Sequence, residues 1–275
     1  MRNFIKLVLI IFSLLIITSC KKKTTQPTPP PQQNLDRQTA QAIAPSVATG
    51  IQIMVLGMFD PEGTSPIAFG KLGIKQSPCV KVAGDTSDFD QDGYLKNATA
   101  TFDCHYQDPT YSFSLTGTAE IRDKDDNDPT SGFYLKFTDI VYTLTTQGQT
   151  TSWKLNATYD INHTGDQWGG HIDFSFNYMD NIIWSTSFDF SYIPDDQNKP
   201  WEGGTINFNG NYSVKYGGVN YSFQIIAQNV HYNETSGCEY PDSGTVKITD
   251  GTNYLEVTFN CDSYTVSYNG TPVSY

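Results

Sequence analysis

Three aspartates at alternate positions, Asp88, Asp90 and Asp92, are followed by Gly93, giving D-x-D-x-D-G. A hard cation such as Ca2+ is held by about six to eight oxygens, and alternating carboxylates with a glycine at the tight bend supply several from one loop. Counted as a helix–loop–helix calcium site from Asp88, the loop gives the carbonyl of Tyr94 at its seventh position and an apolar residue, Leu95, at its eighth. The twelfth position, where a bidentate Glu belongs, is Thr99. The flanks VKVAG and ATATF alternate like strands, so the expected site is a calcium loop in a β setting. Asp85 and Asp103 lie close enough in sequence to complete its shell. A solvated acidic turn would carry the same letters. Any calcium held here is structural rather than catalytic.

Other chemistry is sparse. His105, His163, His171 and His231 are the only histidines, and no two stand at i, i+4 on a helix, so no zinc site is expected. No Gly-x-Ser-x-Gly and no cysteine–histidine nucleophile pair occurs, and the expectation is a protein that is not an enzyme. The run Asp123-Lys124-Asp125-Asp126-Asn127-Asp128-Pro129 could form a second cation site, with a solvated acidic loop as the plainer alternative. Trp168-Gly169-Gly170 and Trp201-Glu202-Gly203-Gly204 look like loops that expose a ring for sugar stacking, whereas Trp153 and Trp184 fall in strand patterns and belong to a core.

The elements that must position these residues are strands. Trp153, Leu155, Ala157, Tyr159 and Ile161 alternate with polar residues, as do Phe174, Phe176 and Tyr178, then Phe188, Phe190 and Tyr192. Alternation of period two marks sheets with one buried and one wet face. Turns rich in Gly, Asn and Asp separate about ten to twelve such strands from residue 79 onward, joined by short connections. The fold class is therefore all-β, an antiparallel up-and-down barrel or a strongly curved open half-barrel sheet. With 17 Tyr and 16 Phe in the chain, the buried rows are aromatic enough to leave either a solid core or an apolar concavity. One amphipathic helix over 36–59 is expected to pack on or in the sheet, its stripe running through Ala40, Ile43, Val47, Ile51, Met54 and Met58. Pro45 should kink it or mark its true start.

Met1 to Ser19 has a charged start and an apolar run, Leu7 to Ile17, too short for a comfortable membrane span. Its end, Ile17-Thr18-Ser19-Cys20, resembles the lipobox of bacterial lipoproteins. That resemblance implies cleavage of residues 1–19 as a lipoprotein signal peptide and acylation of Cys20. Lys21 at the next position, in place of the aspartate that retains lipoproteins in the inner membrane, favours the outer membrane. Residues 20–34 then form a lipidated, Pro-rich tether, and 35–275 a single β-domain. Four cysteines remain for an oxidising compartment, and Cys79–Cys104 and Cys238–Cys261 are the expected bridges because each pair brackets one hairpin-like segment. If Cys79 stood directly opposite Cys104, Val80 would face Asp103, so a bulge or a one-residue offset is expected there.

The chain also resembles a group of uncharacterised bacterial lipoproteins. They share the cysteine-flanked D-x-D-x-D-G segment ending near Thr101-Phe102-Asp103-Cys104 and a closing G-T-V-x-I…L-E-V-T-F-x-C…Y-T-V-x-Y-N-G. The similarity spans most of residues 79–270 and implies export, anchoring and a β-fold, with Asp88, Asp90 and Asp92 as ligands, but no known activity. The net charge of −12 is at odds with a nucleic-acid partner. The expected function is binding of an apolar ligand or lipid in an aromatic-lined concavity. The alternative is a structural or adhesive envelope protein that meets protein or glycan through its wet face.

Overall fold

Among the described residues, period-two patterning becomes thirteen antiparallel strands, each paired only with its neighbours in sequence. The computed structural model describes residues 35–44, 47 and 78–273, apart from 129, 179–181, 201, 217, 234, 235 and 239. Signal segment, Cys20, tether, Pro45, the second half of the expected helix and Trp201 lie outside the described residues. The strands are β1 (Val80–Asp85), β2 (Asn97–Gln107), β3 (Tyr111–Asp123), β4 (Gly132–Thr146), β5 (Gln149–Thr164), β6 (Gln167–Tyr178) and β7 (Ile182–Pro194). They continue as β8 (Gly203–Tyr216), β9 (Val219–Asn233), β10 (Ser243–Thr249), β11 (Tyr254–Asn260), β12 (Ser263–Tyr268) and the short β13 (Thr271–Pro272). Since β1 and β13 do not pair, the sheet is open and curved rather than a closed barrel.

One face of this sheet carries the core. Ala100, Phe133, Ile161, Phe188, Ile225, Val246 and Leu255 are each at most 1 % exposed and join a single cluster. Full burial of a side chain of this size contributes roughly 1.5–3 kcal/mol. Truncating Phe133, which has no exposed surface, would cost about 3–5 kcal/mol.

Two bulges bend the sheet in matching ways. On β4 the register shifts between Phe137 and Ile140, where Asp139 takes φ 50°. On β9 it shifts opposite Ile206 and Phe208, where Asn229 takes φ 50°. Asp and Asn tolerate this left-handed conformation better than other residues with a Cβ. Each bulge withdraws an N–H from the ladder, and a neighbouring strand's asparagine accepts it: Asn156 Oδ1 at 2.7 Å from Asp139 N and Asn207 Oδ1 at 2.8 Å from Asn229 N. Gly117 faces the first bulge so closely that a Cβ would stand 2.5 Å from the Asp139 carbonyl oxygen.

The helix, α1, covers residues 37–44, with Val47 also helical, so it begins well before Pro45. Asp36 is its N-cap, its Oδ1 accepting the Thr39 N–H at 2.7 Å, an interaction typically worth about 1 kcal/mol. Leu35, Ala40, Ile43, Ala44 and Val47 are fully buried in the sheet's own cluster, so the described half of the expected stripe, Ala40, Ile43 and Val47, faces the core. Asp250 Oδ2, in the turn between β10 and β11, accepts the Leu35 N–H at 2.7 Å and ties the helix entry to that rim.

Both expected disulfides form, Cys79–Cys104 and Cys238–Cys261. Val80 pairs with Phe102, which aligns Cys79 with Asp103 and places Cys104 one residue out of register, the expected offset. Closing loops of this length contributes about 3 kcal/mol each in the chain-entropy model.

Candidate metal centre

An up-and-down sheet brings alternate connections to the same rim. Ala98, at the start of β2, pairs with Ile121, near the end of β3, so loop 86–96 and loop 124–131 leave the sheet side by side. The Asp123 N–H donates to the Leu95 carbonyl at 3.0 Å and couples the two loops through their backbones. Within the first loop the Lys96 N–H closes on the Ser87 carbonyl at 2.9 Å, and positive φ at Gln91 and Gly93 turns the chain. Tyr94 roots the loop in the core, 2 % exposed and stacked on Phe133 with centroids 4.0 Å apart.

Five aspartates from these loops converge. One oxygen from each of Asp88, Asp90 and Asp126 lies within 4.8 Å of the other two, and the same holds for Asp90, Asp92 and Asp123. Asp126 is 6 % exposed and Asp123 is 9 % exposed. The cluster could hold a metal ion. Its oxygens are divided between two tasks. Asp126 Oδ1 accepts the Phe89 N–H at 2.9 Å, Asp92 Oδ1 accepts the Tyr94 N–H at 2.7 Å, and Asp123 Oδ1 accepts the Ser131 hydroxyl at 3.1 Å. By contrast Asp88 Oδ1, Asp90 Oδ2, Asp123 Oδ2 and Asp126 Oδ2 are buried without a hydrogen-bond partner in the protein. A buried carboxylate oxygen left bare costs several kcal/mol unless a cation reaches it. One oxygen fixed by the protein and one bare is the arrangement a monodentate ligand needs.

The electrostatics agree. Burial pushes the Asp92 carboxyl up to about 7, with Asp90, Asp123 and Asp88 adding their repulsion. Burial also raises Asp90 and Asp123, each opposed by local hydrogen bonds and reinforced by neighbouring aspartates. Only Lys96 brings positive charge to this group among the described residues, its Nζ 3.8 Å from Asp126 Oδ2 and 3.9 Å from Asp85 Oδ2. That ammonium is half exposed and stands over the Phe89 ring.

Of the residues expected from sequence, Asp88, Asp90 and Asp92 meet. Asp85 belongs to neither group; its Oδ1 accepts the Ser87 N–H and hydroxyl at 3.1 and 2.7 Å. Asp103 pairs with His105 at 2.9 Å on β2. The acidic run at 123–129 is not simply solvated, since Asp123 and Asp126 are buried in the same cluster as the first loop rather than in a second one. Trp168 corrects another expectation: it is 7 % exposed in β6 and stacked on His163, so it offers no free platform. Trp153 and Trp184 are buried, as their strand patterns imply.

A second constellation has familiar distances. Ser187 Oγ lies 3.2 Å from His171 Nε2, and His171 Nδ1 lies 2.7 Å from Asp189 Oδ1. Asp173 Oδ1 approaches the same Nε2 at 3.3 Å, and Asp189 and Asp173 together hold the ring's pKa above its usual value. β7 is also paired along both edges at Ser187, which commits its backbone N–H groups to the ladder. The group is a surface charge network.

The chain matches no protein-family model, and neither characterised proteins nor solved structures give a significant match.

Proposed function

We propose that this chain is a non-enzymatic, lipid-anchored protein of the bacterial outer membrane. In this reading a structural Ca2+ stiffens its curved sheet, and the aromatic face binds an apolar ligand or lipid. The observation that carries the calcium part is the set of bare, buried oxygens on Asp88, Asp90, Asp123 and Asp126. The set is all oxygen and anionic, without nitrogen or sulfur, which suits Ca2+ better than Zn2+. Its irregular loop origin suits the flexible shell of Ca2+ better than the strict octahedron of Mg2+. Lipobox, tether and two disulfides support the envelope address.

An aromatic row supports the apolar ligand. On the rim opposite the acidic loops, Tyr106 stacks near Phe113 at 5.6 Å, Phe113 near Tyr142 at 6.1 Å and Tyr142 near Trp153 at 4.4 Å. Tyr106 and Tyr111 at its end are 45 % and 41 % exposed. The alternative, adhesion to protein or glycan, draws on the wet face. There a hollow of about 420 Å3 is edged by short polar side chains including Asn156, Thr158, Ser175, Ser187 and Asn211.

Native mass spectrometry of the exported, oxidised protein tests the proposal. A calcium-sized mass lost on chelation and a co-purified lipid-sized mass are expected. A protein that takes up no calcium would remove the metal from this reading, and one that binds glycan but no lipid would transfer it to adhesion. Replacing Cys20 with serine should abolish palmitate labelling.

A further inference from the structure

The five carboxylates are more than one dication requires. A single Ca2+ among Asp88, Asp90, Asp92, Asp123 and Asp126 would leave three uncompensated negative charges in a partly buried site, where like charges are poorly screened. Their geometry is not that of one ring. It resolves into two triplets, Asp88–Asp90–Asp126 and Asp90–Asp92–Asp123, with Asp90 common to both. Each triplet contains one side chain from the β3–β4 junction that is at least nine-tenths buried, Asp126 of the loop in the first and Asp123, the last residue of β3, in the second. Each of these directs one oxygen without a hydrogen-bond partner, Oδ2 in both cases. These are two separate buried oxygens, that of Asp126 with the Lys96 ammonium near it at 3.8 Å. They belong to two triplets that share one carboxylate, which is the pattern of two cation positions.

We propose that the site is binuclear and takes two calcium ions bridged by Asp90, an inference that rests on the calcium reading above. Three carboxylates per ion with one shared leave a net charge near −1. Loop carbonyls and water complete shells of about six to eight oxygens. Lys96, at the Asp126 side, offsets the remaining charge. The division of labour follows from the loops: the first strings Asp88, Asp90 and Asp92 along one turn, and the second inserts one aspartate at each end of that string.

Counting ions in the full exported protein by native mass spectrometry during a calcium titration is the direct test. Two calcium ions per chain are expected for the wild type, and one each for Asp126→Asn and Asp123→Asn. In both variants the amide oxygen can still accept the N–H that orients the native carboxylate, so the fold should persist; circular dichroism of each variant checks this. A wild type that saturates at one ion overturns the binuclear site and leaves the calcium reading standing. A wild type that binds none overturns both. The wild-type count decides the matter even if a variant fails to fold.

Discussion

Where β7–β8 and β9–β10 reach the rim, Asp242 and Asp195 flank His231, with Nδ1 2.7 Å from Asp242 and Nε2 3.1 Å from Asp195. Farther along the same rim, the β1–β2 and β3–β4 loops bring five aspartates together around no buried cation of their own. The first group carries its counter-charge within the chain. Both ring nitrogens face carboxylates, which favour the charged imidazolium. Burial alone would lower its pKa, but Asp242 and Asp195 outweigh burial and raise it. The second group leaves its inward oxygens bare. The two groups differ in whether the chain itself supplies the counter-charge, and that difference is what the calcium proposal rests on.

Calcium removal should separate the two groups most strongly. If free calcium stands at about a hundred times Kd, its withdrawal costs about 2.7 kcal/mol. For a domain of this size that lowers Tm by about 5–10 °C. Thermal unfolding with and without chelator measures it, and an unmoved Tm would erase the distinction between the groups. The pH response sharpens it. Without metal, the raised Asp92 carboxyl favours the folded state below about 4, and that contribution is lost as pH rises through about 7. The chelated protein should therefore melt progressively lower from pH 4 to 7, and calcium should flatten that slope.

His231→Gln should cost about 1–2 kcal/mol below pH 6.5, where the imidazolium bonds are fully present. The gap between variant and wild type should close as pH rises through the raised folded pKa, whether or not calcium is present. A gap independent of pH would mean that the ring acts by packing alone. Asp123→Asn is informative through its sign: it should lower Tm in calcium, where one ion is lost, and raise it in chelator, where the substitution relieves repulsion. Equal shifts in both conditions would return Asp123 to an ordinary structural role.

The first loop was legible because its chemistry is local: three aspartates and a glycine announce themselves within six residues. Asp123 and Asp126 were legible as a possible second cation site but not as partners of the first loop, because that partnership depends on Ala98 pairing with Ile121, and alternation reports faces without reporting registers. One signal was available. In an up-and-down sheet the connections after the first and third strands share a rim, and both of these are acidic. The strand pattern, both bridges and the first half of the helical stripe followed from periodicity and spacing. Trp168 misled because the glycines after it suggest a turn. They serve close strand contact instead: a Cβ on Gly170 would stand 2.0 Å from the Asp160 carbonyl oxygen.

Because the sheet does not close among the described residues, it ends in two edge strands, and their construction bears on how the protein behaves at high concentration. Exposed backbone along a long, flat edge templates the addition of further strands and so seeds aggregation. Here one edge is β1, six residues long with exposed Lys81 near its start, and the other is the two-residue β13, which includes Pro272. The bulges keep the intervening sheet bent rather than flat. An open meander built this way can leave a face available to a ligand while giving another copy of the chain little edge to extend.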